Sequence, residues 1–169
     1  HMEARVLAWE TLLESSEPVR RIECFDISHT QGEKAGASCV VFDQQGARKQ
    51  EYRHFNVNPA AGGDDYEALE EAIRRRYQRV LKEQGRLPDL LLIDGGKGQM
   101  QRGWKVIQEL DLQARLRVMG IGNGPSRRPG FEALYLPCGK EMVPGPADSA
   151  LHLLQQVRDE AHRFALTGH

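Results

Sequence analysis

Two aspartates occupy positions in the sequence where a charged side chain is unexpected. Asp26 lies in the alternating segment RIECFDIS, on the face that carries Ile22 and Cys24. Asp94 directly follows the apolar run LLLI, which is typical of a strand buried on both faces. A carboxylate in such a place is costly unless a cation or a hydrogen-bond donor meets it. The alternatives are local: Asp26 could cap the turn after its strand, and Asp94 could cap the helix that follows Gly95.

His162 is the third residue that could carry chemistry. It lies at the edge of the apolar stripe of the last helix, where packing is the alternative role. If the fold gathers His162, Asp26 and Asp94, the two carboxylates repel each other, and a divalent cation relieves that repulsion. Mg²⁺ and Mn²⁺ favour carboxylate oxygen, and an imidazole shifts the preference towards Mn²⁺. Such a centre can activate water and stabilise a pentacovalent phosphorus during phosphodiester hydrolysis.

The glycines after Asp94 offer a different chemistry, because glycine-rich turns can bind anions. The segment GGKGQ lacks the spacing of a P-loop, and the chain has no dinucleotide fingerprint. A small-molecule phosphotransferase that binds its anion at Gly95-Gly96-Lys97 is nevertheless one alternative function. His29 could also be a ligand, although its place in a turn favours a local hydrogen bond.

Composition predicts one intracellular domain. The chain has 169 residues, 40% of them hydrophobic, and a net charge of −1. The leading His1-Met2 looks like a cloning remnant, which leaves a single domain over residues 3–169. Three cysteines without a CxxC pair favour a reducing, cytoplasmic setting. No apolar run is long enough to span a membrane, and the end directly after a helix predicts a domain cut from a longer chain.

Hydrophobic periodicity predicts the elements that must position these residues. The order is a short helix, three strands in an antiparallel meander, a breaker-rich loop, and then helix, strand, helix, strand, a Gly/Pro-rich segment and a last helix. The predicted helices are 3–16, 66–84, 99–110 and 149–166, and the predicted strands are 21–28, 37–42, 49–57, 90–93 and 116–121, with a short edge strand at 131–136. Right-handed crossovers place the fourth and fifth strands parallel to the first. The fold class is therefore α/β and RNase H-like, with a five-stranded mixed sheet flanked by helices.

Several segments together resemble the UvrC family, a subunit of the bacterial excinuclease ABC. They are, in chain order, IECFDISHT, ASCVVF, GDDY, LIDGGKGQ and RDEAHRFA. The resemblance implies an RNase H-like endonuclease that cuts damaged double-stranded DNA on the 5′ side in nucleotide excision repair. It implies that Asp26, Asp94 and His162 are the catalytic triad and bind Mg²⁺ or Mn²⁺. It also implies a partnership with UvrB, whose contact segment lies outside this chain, and weak activity and weak DNA affinity of the isolated domain.

Basic residues on segments that should border the triad are the predicted DNA contacts. They are Lys97, Arg102, Arg127, Arg128 and Arg163. Asn123 stands where members of the family commonly carry a lysine, so a phosphate contact made there is lost. The sequence leaves open whether His162 is a ligand or a general base, whether one or two metal ions act, and whether Asp159 or Glu160 orients the imidazole. A non-catalytic module on the same fold, which positions DNA or a partner, is the other alternative function.

Overall fold

The chain forms one mixed sheet with helices on both faces. The computed structural model describes residues 18–30, 34–57 and 65–168. The strands are β1 (Arg21–Thr30), β2 (Lys34–Asp43), β3 (Gly46–Ala47), β4 (Arg53–Val57), β5 (Leu90–Asp94), β6 (Arg117–Gly122), β7 (Ala133–Tyr135) and β8 (Glu141–Met142). The helices are α1 (Asp65–Lys82), α2 (Lys97–Glu109) and α3 (Ser149–Ala165), with short 3₁₀ turns at Lys49–Glu51 and Leu166–Gly168.

The strand order confirms the predicted mixed sheet. The order is β3-β2-β1-β5-β6-β7-β8, and β4 pairs with the outer edge of β2. Strands β1, β2 and β4 are antiparallel neighbours, whereas β5 pairs parallel with both β1 and β6. Since β1 and β5 lie side by side and run in the same direction, their carboxyl ends meet at one edge of the sheet.

Strand β5 is buried on both faces, as its unbroken apolar run predicts. Leu90 and Leu92 join the core beneath α3, and Leu91 and Ile93 join the core beneath α1 and α2. All four side chains are fully buried. Burial of each contributes about 1.5–3 kcal/mol, so β5 is a rigid support for the residue that follows it.

The predicted third strand is wrong in its first half. The sequence predicts one strand over 49–57, but Lys49–Glu51 form a 3₁₀ turn and only Arg53–Val57 pair with β2. The turn lets Glu51 reach Arg21, at 2.9 Å, and lets Tyr52 bury its ring and donate its hydroxyl hydrogen to Glu160. The described residues form eight strands: β7 lies within the predicted edge strand at 131–136, and β3 and β8 are short pairings that the sequence did not predict.

A fully buried carboxylate joins β1 to α1. Glu23 accepts hydrogen bonds from Arg21 at 3.0 Å, from Arg76 at 2.7 Å and from the Tyr77 hydroxyl at 2.7 Å. The side chains of both arginines are less than a tenth exposed. A buried carboxylate with this many donors holds α1 in one position on the sheet, because a shift of the helix would separate Arg76 and Tyr77 from the buried charge.

The remaining helices agree with the sequence to within two residues, and each has a defined end. The predicted helices at 66–84, 99–110 and 149–166 are found at 65–82, 97–109 and 149–165. Asp148 caps α3 by accepting a hydrogen bond from the Leu151 N–H at 2.9 Å. The predicted first helix at 3–16 and most of the breaker-rich loop lie outside the described residues.

Candidate active site

The two aspartates lie side by side at the carboxyl ends of β1 and β5. In the parallel register Phe25 pairs with Ile93, so Asp26 and Asp94 are the next residues on neighbouring strands. Asp26 shares its face with Ile22 and Cys24, both buried under α3, and is itself only 7% exposed. The alternation of β1 thus directs a carboxylate into the space beneath the last helix.

Helix α3 brings His162 to the same place. Its Nδ1 lies 3.4 Å from Oδ2 of Asp26, and one ligand atom from each of Asp26, Asp94 and His162 lies within 4.8 Å of the others. The His162 side chain is 68% exposed, whereas that of Asp26 is 9% exposed. The centre therefore has two carboxylates on the sheet side and an imidazole on the solvent side.

Burial and mutual repulsion make the two carboxylates hard to ionise together. Burial raises the pKa of Asp94 from 3.8 to about 6, with a further contribution from the negative charge of Asp26. Burial also raises the pKa of Asp26, although the neighbouring imidazole of His162 opposes that rise. A divalent cation fits this donor set, because it removes the repulsion and prefers carboxylate oxygens and imidazole nitrogen as ligands.

The glycine turn after Asp94 has its main-chain donors occupied. The Gly95 N–H donates to the Ile121 carbonyl at 2.9 Å, and the Gly96 N–H donates to Oε1 of Gln99 at 3.1 Å. A phosphate loop needs free N–H groups that point at the anion. The turn therefore connects β5 to α2 and does not favour the phosphotransferase alternative.

A cleft of about 520 Å³ opens beside the centre and contains two of the predicted DNA contacts. Arg127 and Arg128 line it together with Asp94 and His162, and Asn123 lies on the same wall. The Arg127 backbone has φ of 57°, a left-handed conformation that costs a non-glycine residue about 1 kcal/mol. Such strain is common in segments that serve a site.

The other three predicted contacts do not line this cleft. Lys97 is exposed at the first turn of α2. Arg102 bonds to Glu70 at 2.6 Å, and Arg163 bonds to Glu160 at 2.6 Å. Their contact with DNA stays a prediction, but an acidic partner already occupies each of these two guanidinium groups.

Two residues of the cleft wall are not among the site residues predicted from the sequence. Glu132, which is 7% exposed, and Arg158 both line the cleft, and they bond to each other at 3.0 Å. Arg158 precedes His162 by four residues, so helical spacing could have placed it on the same face. Glu132 carries a weaker signal, because it lies in the short predicted edge strand at 131–136, where a single glutamate is ordinarily solvent-exposed.

The residues suggested as partners of the imidazole act elsewhere. Asp159 accepts two hydrogen bonds from Arg158, and Glu160 bonds to Tyr52 and Arg163. His29 is on β1, but its side chain lies outside the described part of the structure.

The sheet order and the acidic centre define a class: an α/β domain with an Asp-Asp-His cluster at the carboxyl ends of its two central parallel strands. Residues 10–166 match the family model described as the UvrC RNAse H endonuclease domain. The chain belongs to this family and is an endonuclease domain with an RNase H-like fold.

Curated relatives agree with this membership. UvrABC system protein C of Alcanivorax borkumensis is 92% identical over 169 residues, which are 100% of this chain and 28% of that protein. The protein of the same name from Saccharophagus degradans is 51% identical over 166 residues, which cover 98% of this chain and 27% of the relative. The chain thus spans little more than a quarter of the length of these relatives.

Solved structures show a more distant likeness. Endonuclease V of Ciona intestinalis, crystallised with a DNA 24-mer, gives a TM-score of 0.44 at 17% identity, over 63% of this chain and 46% of that one. Human endonuclease V gives a TM-score of 0.39 at 22% identity, with the same coverage of the two chains.

None of the helices in the described ranges has both the length and the apolar composition needed to cross a bilayer.

Proposed function

We propose that this domain hydrolyses a phosphodiester bond of double-stranded DNA, with Asp26, Asp94 and His162 as its catalytic centre. One observation carries the proposal: ligand atoms of these three residues, which come from β1, β5 and α3, lie within 4.8 Å of one another. Two buried carboxylates that repel each other at the ends of neighbouring strands destabilise the fold. They are useful if they bind a cation, because the cation neutralises both charges.

Asp26, Asp94 and His162 would hold the Mg²⁺ or Mn²⁺ ion. When bound, the ion supplies a Lewis acid for the phosphoryl oxygens and lowers the pKa of water. The two aspartates contribute fixed negative charge from rigid strands, so their position does not change during the reaction. The more exposed imidazole can complete the coordination or accept a proton at the open side of the cleft.

The experiment is a nicking assay on duplex DNA with and without Mn²⁺, with the parent and Asp94→Asn. Mn²⁺ binding, followed by calorimetry, provides a readout that is independent of turnover. We expect Mn²⁺-dependent nicking and saturable Mn²⁺ binding by the parent, and loss of both in the variant. Equal nicking by the variant, or nicking by the parent in EDTA, would refute the assignment.

We further propose, from membership of the family, that the domain makes the incision on the 5′ side of DNA damage in the cytoplasm, in partnership with UvrB. The chain covers little more than a quarter of these relatives, which is consistent with a UvrB-contacting segment outside it. The test is the incision position on an end-labelled damaged duplex loaded with UvrB, with the domain joined to the remainder of the full-length protein. Cuts on the 3′ side, or cuts unrelated to the lesion, would contradict this role.

A further inference from the structure

Arg158 places a fixed cation at the edge of the candidate active site. It lies one helical turn before His162 on α3, and its side chain lines the same cleft as Asp94. The guanidinium is close enough to the aspartate to act against the rise in the pKa of Asp94. Its side chain is 23% exposed, so it is partly shielded from water yet accessible from the cleft.

A buried carboxylate holds this guanidinium in place. Glu132 accepts from Nη1 of Arg158 at 3.0 Å through one oxygen and from Gln155 at 3.0 Å through the other. The Glu132 side chain is only 9% exposed, so this ion pair is little screened by solvent. The second partner, Asp159, accepts from Nε and Nη2 through one oxygen, but its side chain is 70% exposed and contributes little.

The donors of Arg158 are incompletely used by the protein. A guanidinium has five N–H groups, and among the described residues three of them donate: one to Glu132 and two to Asp159. One N–H on Nη1 and one on Nη2 remain. Two donors on a planar cation suit two oxygens of a phosphate, a geometry that lysine does not offer.

We propose that Arg158 binds a backbone phosphate of the DNA strand in this cleft, and that Glu132 positions it for this contact. The inference rests on the proposed function, because it takes a DNA phosphodiester as the substrate. Arg127 and Arg128 belong to a loop, whereas Arg158 is on a helix with a buried anchor. Of the three arginines in the cleft, Arg158 therefore loses least conformational entropy on binding.

The test measures the salt dependence of duplex binding by fluorescence anisotropy, with Ca²⁺ in place of Mn²⁺ to prevent cleavage. Each phosphate contact contributes about 0.9 to the slope of log K against log salt concentration. We expect Arg158→Gln to lower that slope by about 0.9 and to weaken binding roughly tenfold. Arg158→Lys should keep the slope but bind more weakly, because it retains the charge and loses the paired donors.

Two further variants distinguish a phosphate contact of Arg158 from a general effect of charge and from loss of the Glu132 anchor. Arg74→Gln removes the same charge from an arginine that is bonded to Glu109 across α1 and α2, and it should leave the slope unchanged. Glu132→Gln keeps the Arg158 charge but loosens its anchor, so the slope should persist while affinity falls. Thermal melting of each variant shows whether the domain remains folded.

The outcomes distinguish this inference from the proposed function. If the parent binds duplex with a steep salt dependence, and Arg158→Gln and Arg158→Lys both keep that slope and affinity, Arg158 is a structural residue and the inference fails alone. If the folded parent shows no affinity for duplex DNA at any salt concentration, the proposed function fails and the inference fails with it.

Discussion

Asp94→Asn should stabilise the metal-free domain at neutral pH while it abolishes nicking. Burial and the charge of Asp26 raise the pKa of Asp94 from 3.8 to about 6. Since one pKa unit corresponds to about 1.36 kcal/mol, the ionised form of Asp94 costs the folded state up to about 3 kcal/mol. Asparagine has nearly the same shape without the charge, so the variant avoids this cost.

The stabilisation of the domain by Asp94→Asn depends on pH. Between pH 3.8 and about 6 the folded protein keeps a proton on Asp94 that the unfolded chain has released. The free energy of unfolding of the parent therefore falls as pH rises through this range and levels off above it. The advantage of Asp94→Asn should be full above about pH 6 and absent below about pH 4.

The assay is thermal melting in EDTA at neutral and acidic pH. For a domain of this size, a gain of about 3 kcal/mol corresponds to a rise in Tm of about 6–12 °C. Glu83→Gln removes the charge of an exposed carboxylate just after α1; it is the control and should shift the Tm by less than about 4 °C. Saturating Mn²⁺ should raise the Tm of the parent much more than that of Asp94→Asn. A variant that melts at or below the parent at neutral pH would refute the electrostatic reasoning.

Three other substitutions test different parts of the structure. Glu23→Gln leaves the buried Arg76 without its carboxylate partner, while Arg21 keeps its contact with Glu51, and should cost roughly 3–5 kcal/mol in urea unfolding. The exposed Glu83→Gln should cost less than about 1 kcal/mol, and equal costs would contradict the buried network. Gly103→Ala places a methyl group against the Ile93 side chain and should lower the free energy of unfolding by about 1–3 kcal/mol in the same assay. An unchanged free energy of unfolding would mean that α2 packs on β5 less tightly than the structure indicates. Asn123→Lys adds a cation to the cleft and should raise the salt slope of duplex binding by about 0.9; an unchanged slope would mean that DNA does not pass this wall.

The sequence predicts the sheet well because its strongest signals are local. The apolar run of β5 and the alternation of β1 each define a strand, and right-handed crossovers then make these strands parallel, so Asp26 and Asp94 are expected at the same edge of the sheet. The same reasoning fails at residues 49–51. The ion pair between Arg21 and Glu51 joins residues that are distant in sequence, and hydrophobic periodicity does not predict such contacts.

The site is predicted less completely than the fold because contacts depend on side-chain partners. Arg102 lies on a segment close to the centre, yet its contact with Glu70 on α1 determines where its charge lies. Glu132 lies in the short predicted edge strand, but only the three-dimensional pairing with Arg158 gives it a role. A single sequence therefore does not reveal which charged residues pair when they are distant from each other along the chain.

The imidazole of His162 faces solvent, so small reagents can reach the centre without unfolding of the chain. A histidine acylating agent should modify it rapidly, because its side chain is 68% exposed. A bound ion or a DNA strand would shield the same nitrogen atoms. The rate of this modification, read residue by residue through peptide mapping, makes His162 an intrinsic reporter of occupancy that requires neither a label nor turnover.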